Sequence, residues 1–140
     1  INLLKATLEN NDIELETNYN SFKKIVTYPN ELEQVVLNLV KNAEDVMKEK
    51  HIKNKKIIIQ TFIDNKDICF SVEDNGGGID EKIIERIFEP YFTTKAKLDG
   101  TGLGLYMSKI IVEEHCGGTI SVINTSMGAK FTVRFTPPTL

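Results

Sequence analysis

Gly100-Thr101-Gly102-Leu103-Gly104-Leu105 is the stretch on which the reading of this chain turns. Three glycines alternate with small or apolar residues, and an amphipathic run from Tyr106 to His115 follows at once. Glycine lets backbone approach a ligand closely and reach φ > 0 without strain. A helix that starts there aims unpaired N–H groups and the positive end of its dipole into the loop, an arrangement that binds phosphate. The stretch has neither the Gly-Lys-Ser/Thr of a P-loop nor the spacing of the dinucleotide fingerprint. A glycine-rich turn before a helix also serves as a tight connection, so other segments must decide.

Working outward, a helix is expected over about 102–115, stopped by Gly117-Gly118, and a closing hairpin over 119–124 and 129–135, turning at Ser126-Met127-Gly128. Upstream, residues 1–9 read as the end of a helix, 13–19 and 23–28 as short strands, and 56–63 with 67–73 as a hairpin around Asp64-Asn65-Lys66. Pro29 and Asn30 open a long helix to about Lys50, with Asn30 as its N-cap. A short helix is expected over 80–87, and 88–101 is irregular. Helices mixed with hairpin-joined strands imply an α/β (α+β) two-layer sandwich: a mixed, mostly antiparallel sheet of about five strands with about three helices on one face.

Three patches carry chemistry. On the long helix, Asn38, Asn42 and Asp45 share one face roughly opposite the stripe of Leu39 and Ala43. Asn is a poor helix-interior residue, and amide oxygens can complete the shell of a Mg²⁺ that keeps waters and phosphate oxygens as its other ligands. A solvated polar face is the plainer alternative. Next, Asp74-Asn75-Gly76-Gly77-Gly78-Ile79 places a carboxylate at a strand end before three glycines. That is a turn signal, and also a way to accept a hydrogen bond from an exocyclic amine while a flat base slides against backbone; a carbonyl in place of the amine would be rejected. Third, Phe88-Glu89-Pro90-Tyr91-Phe92 runs into Thr93–Thr101, poor in apolar residues and suited to a lid. Phe88 and Phe92 also suit a core, and Lys95 can meet phosphate as a point charge.

In this order, an asparagine box, Asp-x-Gly-x-Gly, a Phe-Pro-Phe-like segment, Gly-x-Gly-x-Gly before a helix, and Gly128-Ala129-Lys130-Phe131 near the end, the chain resembles the catalytic ATP-binding domain of sensor histidine kinases. That domain has the Bergerat fold, shared with type II topoisomerases, mismatch-repair ATPases and large heat-shock chaperones. The resemblance covers about residues 11–136 and implies an end of a linker helix over 1–10 and a catalytic ATP-binding domain over 11–140. It implies ATP and Mg²⁺ as cofactors, with Asn42 on the metal, Asn38 near metal and phosphates, and Asp74 on the adenine amino group. Gly76, Gly78 and Ile79 would shape the base pocket, Phe88 and Phe92 would anchor the lid that carries Thr94 and Lys95, and Gly100, Thr101, Gly102, Leu103, Gly104 and Leu105 would carry the triphosphate. Many family members have a basic residue where this chain has Asp45, so Lys41 and Lys95 are the candidates to neutralise phosphate.

Relatives that hydrolyse ATP typically carry Glu at the position of Asn38. An amide cannot act as a base near neutral pH, so the resemblance implies transfer to a protein histidine rather than hydrolysis; a Bergerat-fold ATPase or chaperone-like module is the alternative. Neither His51-Ile52 nor His115-Cys116 has the His-acidic context of a phosphoacceptor. The acceptor is therefore expected on a dimeric helical domain of the same protein, before an Ile1 that suggests a fragment, with a response regulator downstream.

The bulk numbers fit. The 140 residues, 41% hydrophobic and 26% charged, suit one domain. A net charge of −3 with no basic stripe argues against nucleic acid. No apolar run spans a bilayer and no signal peptide is visible. Cys69 reads as a small strand residue and Cys116 as a free thiol, without metal spacing. His51 and His115 read as cations at helix ends. A cytoplasmic domain is expected, monomeric by itself, in a longer protein that can be membrane-anchored.

Overall fold

The computed structural model describes residues 13–19, 29–90 and 104–135. Strand β1 (Glu14–Tyr19) precedes a long helix, α1 (Pro29–Glu49), then come β2 (Lys56–Asp64) and β3 (Asp67–Asp74). Helix α2 (Gly104–Ile110) continues as a π-helical turn (Ile111–His115) and leads to β4 (Thr119–Asn124) and β5 (Ala129–Phe135). One five-stranded sheet has the order β1-β2-β3-β5-β4. β1 and β2 are parallel, and the other neighbours are antiparallel. The expected helix over 1–9, strand over 23–28 and lid lie outside the described residues.

The sheet is apolar on one face because its strands alternate. In β5, Ala129, Phe131, Val133 and Phe135 are buried while the residues between them are not. Ile57, Ile59, Phe70 and Val72 extend that face, and Val35, Leu39, Ala43 and Met47 of α1 pack on it at i, i+4 spacing. Ile111 and Val112 complete the helical layer. The two-layer mixed sandwich is therefore as expected. Among the described residues no helix is long and apolar enough to cross a membrane.

Two local readings are corrected. Pro29 is itself the first residue of α1, so Asn30 lies inside the helix rather than capping it; a first-turn proline loses no intrahelical bond and brings a helical φ. The segment 80–87 forms successive turns instead of a third helix, leaving two α-helices among the described residues. Asp80 O accepts from Ile83 N at 3.0 Å and Ile84 N at 3.1 Å, and Ile83 O accepts from Arg86 N at 2.8 Å, so no ladder propagates. Eight residues containing a β-branched pair are too few to sustain an isolated helix. At the far end of α1, His51 takes φ 53°. His51 N donates to Lys48 O at 3.1 Å and Ile52 N to Met47 O at 3.0 Å, while Ile52 packs on the core. This is the glycine-type helix stop, made here with histidine.

The β2–β3 hairpin closes on Asn65 and Lys66, with φ of 50° and 76°, the two left-handed positions of a type I′ turn. Arg134 clamps it from β5, reaching Asp64 Oδ2 at 2.7 Å and Asp67 Oδ2 at 3.1 Å. Cys69 and Cys116 form no disulfide, and burial pushes the Cys69 thiol up. Gly117, at φ 69°, ends the π-helical turn where the sequence places a stop.

Candidate functional site

β3 delivers Asp74 to the edge of the core, where it is 3% exposed. Its Oδ1 accepts from Gly76 N at 2.8 Å and, from the neighbouring strand, from Ala129 N at 3.5 Å. Burial raises the carboxyl above the ordinary aspartate value, and the Gly76 and Ala129 amides and the Lys50 charge only partly offset it. A carboxylate is retained here against its desolvation cost, which points to a task. The glycines around it are packed rather than merely flexible. A Cβ on Gly76 would stand 3.0 Å from Asp74 Oδ1 and 3.2 Å from Val46 Cγ1, and Gly77 and Gly78 both hold φ 86°.

On α1, Asn38, Asn42 and Asp45 are half-buried, and Lys41 is exposed. Their face thus borders the core stripe instead of lying opposite it. Asn38 is tied to α2: its Nδ2 donates to Ser108 Oγ at 3.3 Å and to Gly104 O at 3.5 Å, while its Oδ1 accepts from Gln34 Nε2 at 3.0 Å. Ser108 is fully buried and also donates to Gly104 O at 2.9 Å. The start of α2 is therefore pinned beside the amide-bearing face. Leu105 packs against the core, and a Cβ on Gly104 would meet nothing within 4 Å. Asn42 makes no side-chain hydrogen bond among the described residues. Phe92, Thr94, Lys95, Gly100, Thr101, Gly102 and Leu103 lie outside the described residues.

Phe88 is half-buried and meets Phe131 edge-on, centroids 6.0 Å apart at 88°, with Lys109 Nζ 5.9 Å from its centroid. Its described role is thus packing. Beside it a groove of about 370 Å³ runs between the 85–90 turns and α2. Glu85, Glu89, Glu113 and Glu114 line it against one lysine, Lys109. Four carboxylates make it a poor receptor for a polyphosphate, and it contains none of Asn38, Asn42 or Asp74. Among the described residues no cluster of three or more His, Cys, Asp or Glu could hold a metal by itself.

Several supporting contacts escape a reading of the sequence. Gly128, which reads as a hairpin turn, abuts Asp74, where a Cβ would come within 2.5 Å of the Asp74 carbonyl oxygen and 2.7 Å of Oδ1. Asn124 holds Ile79 twice, accepting from its N–H and donating to its carbonyl, each at 2.8 Å. Asn75 Oδ1 accepts from Lys56 N at 2.9 Å, and its Nδ2 donates to Asn54 O at 2.8 Å. Lys50 Nζ donates to Gly76 O at 2.9 Å and Gly78 O at 3.0 Å. The lysine spacing carries no motif, and only the glycine at 128 gives a signal.

Residues 27–139 match the family described as histidine kinase-, DNA gyrase B-, and HSP90-like ATPases. The two-component sensor PprA of Pseudomonas aeruginosa is 36% identical over 138 residues, covering 96% of this chain. The sensor histidine kinase ZraS of Salmonella typhi is 38% identical over 136 residues, covering 95% of it. The chain spans 15% of the length of PprA and 28% of that of ZraS. The catalytic domain of histidine kinase ThkA superposes with a TM-score of 0.81 at 30% identity, covering 96% of this chain and 86% of that one. ThkA has also been solved in complex with the response regulator TrrA, with a TM-score of 0.77 at 27% identity over 97% of this chain and 37% of that one. The chain belongs to the histidine kinase-, DNA gyrase B-, and HSP90-like ATPase family, with the fold of a histidine kinase catalytic domain.

Proposed function

We propose that this chain is the ATP-binding catalytic domain of a sensor protein-histidine kinase, holding Mg-ATP for γ-phosphoryl transfer to a histidine on a separate dimerisation and phosphoacceptor domain. The observation that carries the reading is the Asp74 carboxylate. Both of its backbone donors among the described residues fall on Oδ1, which leaves Oδ2 to accept from the exocyclic amine of adenine. Guanine would set a carbonyl against a carboxylate and leave both acceptors unpaired. Gly76, Gly78 and Ile79 form the wall beside it.

The phosphates then run toward α1 and the start of α2. Asn42, half-buried with its amide unengaged among the described residues, which also form no carboxylate cage, fits a Mg²⁺ completed by phosphate oxygens and waters. The ion, when bound, would neutralise the triphosphate charge. Asn38, whose amide is committed to α2 and Gln34, orients the phosphate loop rather than ligating directly. Lys95 and Lys41 are the phosphate cations we would assign, and Thr94, Thr101 and the glycines 100, 102 and 104 the phosphate-facing backbone. Catalysis is positioning plus charge stabilisation, with the nucleophilic histidine supplied by the other domain. The relationship to ThkA supports a response regulator as the next phosphoryl acceptor. The need for ATP supports the cytoplasm, and the domain alone is monomeric.

The test is nucleotide choice together with turnover. The chain should bind Mg-ATP well ahead of Mg-GTP and hydrolyse it negligibly, because the amide of Asn38 cannot activate water. Equal affinity for the two nucleotides would overturn the assignment of Asp74, and robust hydrolysis abolished by Asn42→Ala would overturn the kinase reading.

A further inference from the structure

The loop from Asp74 to Ile79 is gripped from three sides. Asp74 Oδ1 holds the Gly76 amide from within at 2.8 Å, and Asn124 closes the exit through both backbone groups of Ile79. The third grip is Lys50, whose ammonium spans the carbonyls of Gly76 and Gly78 at 2.9 and 3.0 Å. Between those carbonyls the backbone passes through two consecutive residues at φ 86°, a conformation open to glycine and intrinsically loose because glycine loses the most freedom on ordering. The two carbonyl dipoles converge on one point, and a cation there converts their repulsion into two charge-assisted hydrogen bonds.

Lys50 is delivered by the helix that carries Asn42. It is the last residue before His51 turns left-handed, and its own N–H is held by Val46 O at 3.0 Å. The cap of α1 therefore fixes where the ammonium stands.

We propose that Lys50 is a positioning residue for nucleotide recognition, its ammonium bridging the Gly76 and Gly78 carbonyls and so fixing the loop that presents the Asp74 carboxylate. The proposal rests on the reading of Asp74 as the base acceptor. Lys50 touches loop backbone and acts through it. Its charge also favours the ionised form of Asp74, the form that accepts an amine.

The test compares Lys50→Met and Lys50→Arg with the parent chain by Mg-ATP calorimetry, thermal melting, and amide exchange of Gly76 without nucleotide. Lys50 is exposed, so Lys50→Met should melt within about 3 °C of the parent. It should lose about tenfold or more in ATP affinity and exchange the Gly76 amide faster. Lys50→Arg, whose guanidinium can bridge two carbonyls, should recover most of both. Parent-like exchange in Lys50→Met overturns the proposal whatever the parent binds. So does unchanged ATP affinity with faster exchange, or failure of the arginine to rescue. A parent that binds no ATP, with exchange faster in Lys50→Met, overturns the reading of Asp74 instead and reduces Lys50 to a loop clamp.

Discussion

Gly128→Ala puts a single methyl group into the tightest spot beside the candidate site. The new Cβ would stand 2.5 Å from the Asp74 carbonyl oxygen, 2.7 Å from Asp74 Oδ1 and 2.9 Å from Gly76 N. Ordinary contacts of this kind need about 3.5 Å, so the nearest atom must retreat by roughly 1 Å. None can swing away cheaply: two are backbone, and the carboxylate oxygen is the acceptor for Gly76 N. Overpacking of this sort costs about 1–3 kcal/mol. Gly128 has no positive φ to strain an alanine, and fewer unfolded conformations return about 0.4–1 kcal/mol. The net loss should be about 1–2 kcal/mol, a fall in melting temperature of roughly 4–8 °C at this chain length. Gly104→Ala is the control, since its Cβ meets nothing and alanine is the better helix former; its melting temperature should stay or rise. Calorimetric melting of both, with Mg-ATP titrations, gives the answer. A Gly128→Ala chain that melts with the parent and binds ATP as well would refute the packing argument around Asp74.

Asp74→Asn should separate stability from binding. The folded carboxyl has its pKa raised by burial, so between the unfolded and folded values the native state binds more protons and stability falls as pH rises. The cost is complete above the folded value and vanishes below the unfolded one. The neutral amide removes it, so denaturant midpoints at neutral pH should rise and flatten against pH, while ATP affinity drops about tenfold to a hundredfold. In the parent, ATP affinity should fall on acidification at a higher pH than an ordinary carboxylate would give. Asn124→Ala forfeits both bonds to Ile79, an exposed pair worth about 1 kcal/mol together, and should weaken ATP a few-fold; unchanged affinity would remove Asn124 from the site. Chelating magnesium should weaken ATP in the parent and change little in Asn42→Ala; an equal chelation effect in both would place the metal elsewhere.

Features set by local chemistry are legible in the sequence. The alternation of β5, the hairpin turn at Asp64-Asn65-Lys66 and the apolar stripe of α1 each follow from spacing. Asp74 stands out because a carboxylate before three glycines is a poor core residue and a good acceptor. The illegible parts are contacts between distant segments. Lys50 reaches Gly78 across 28 residues and Asn124 reaches Ile79 across 45, and neither pairing leaves a mark on its own neighbourhood. Gly128 beside Asp74 depends on β5 lying next to β3, which sequence order hides. The end of α1 near Lys50 is legible, but the left-handed form of its stop at His51 is hidden because that position is usually glycine. The turns over 80–87 read as helix because periodicity cannot weigh how few residues share the nucleation cost.

Nucleotide should sit between the amide face of α1 and the Asp74 loop. Mapping amide and side-chain ¹H–¹⁵N shifts while titrating a non-hydrolysable Mg-ATP analogue into the chain tests this most directly. The largest shifts should fall at Gly76, Ala129 and the Asn42 side chain, saturating together. No shifts in folded protein, or shifts confined to the acidic groove around Phe88 and Lys109, would contradict it.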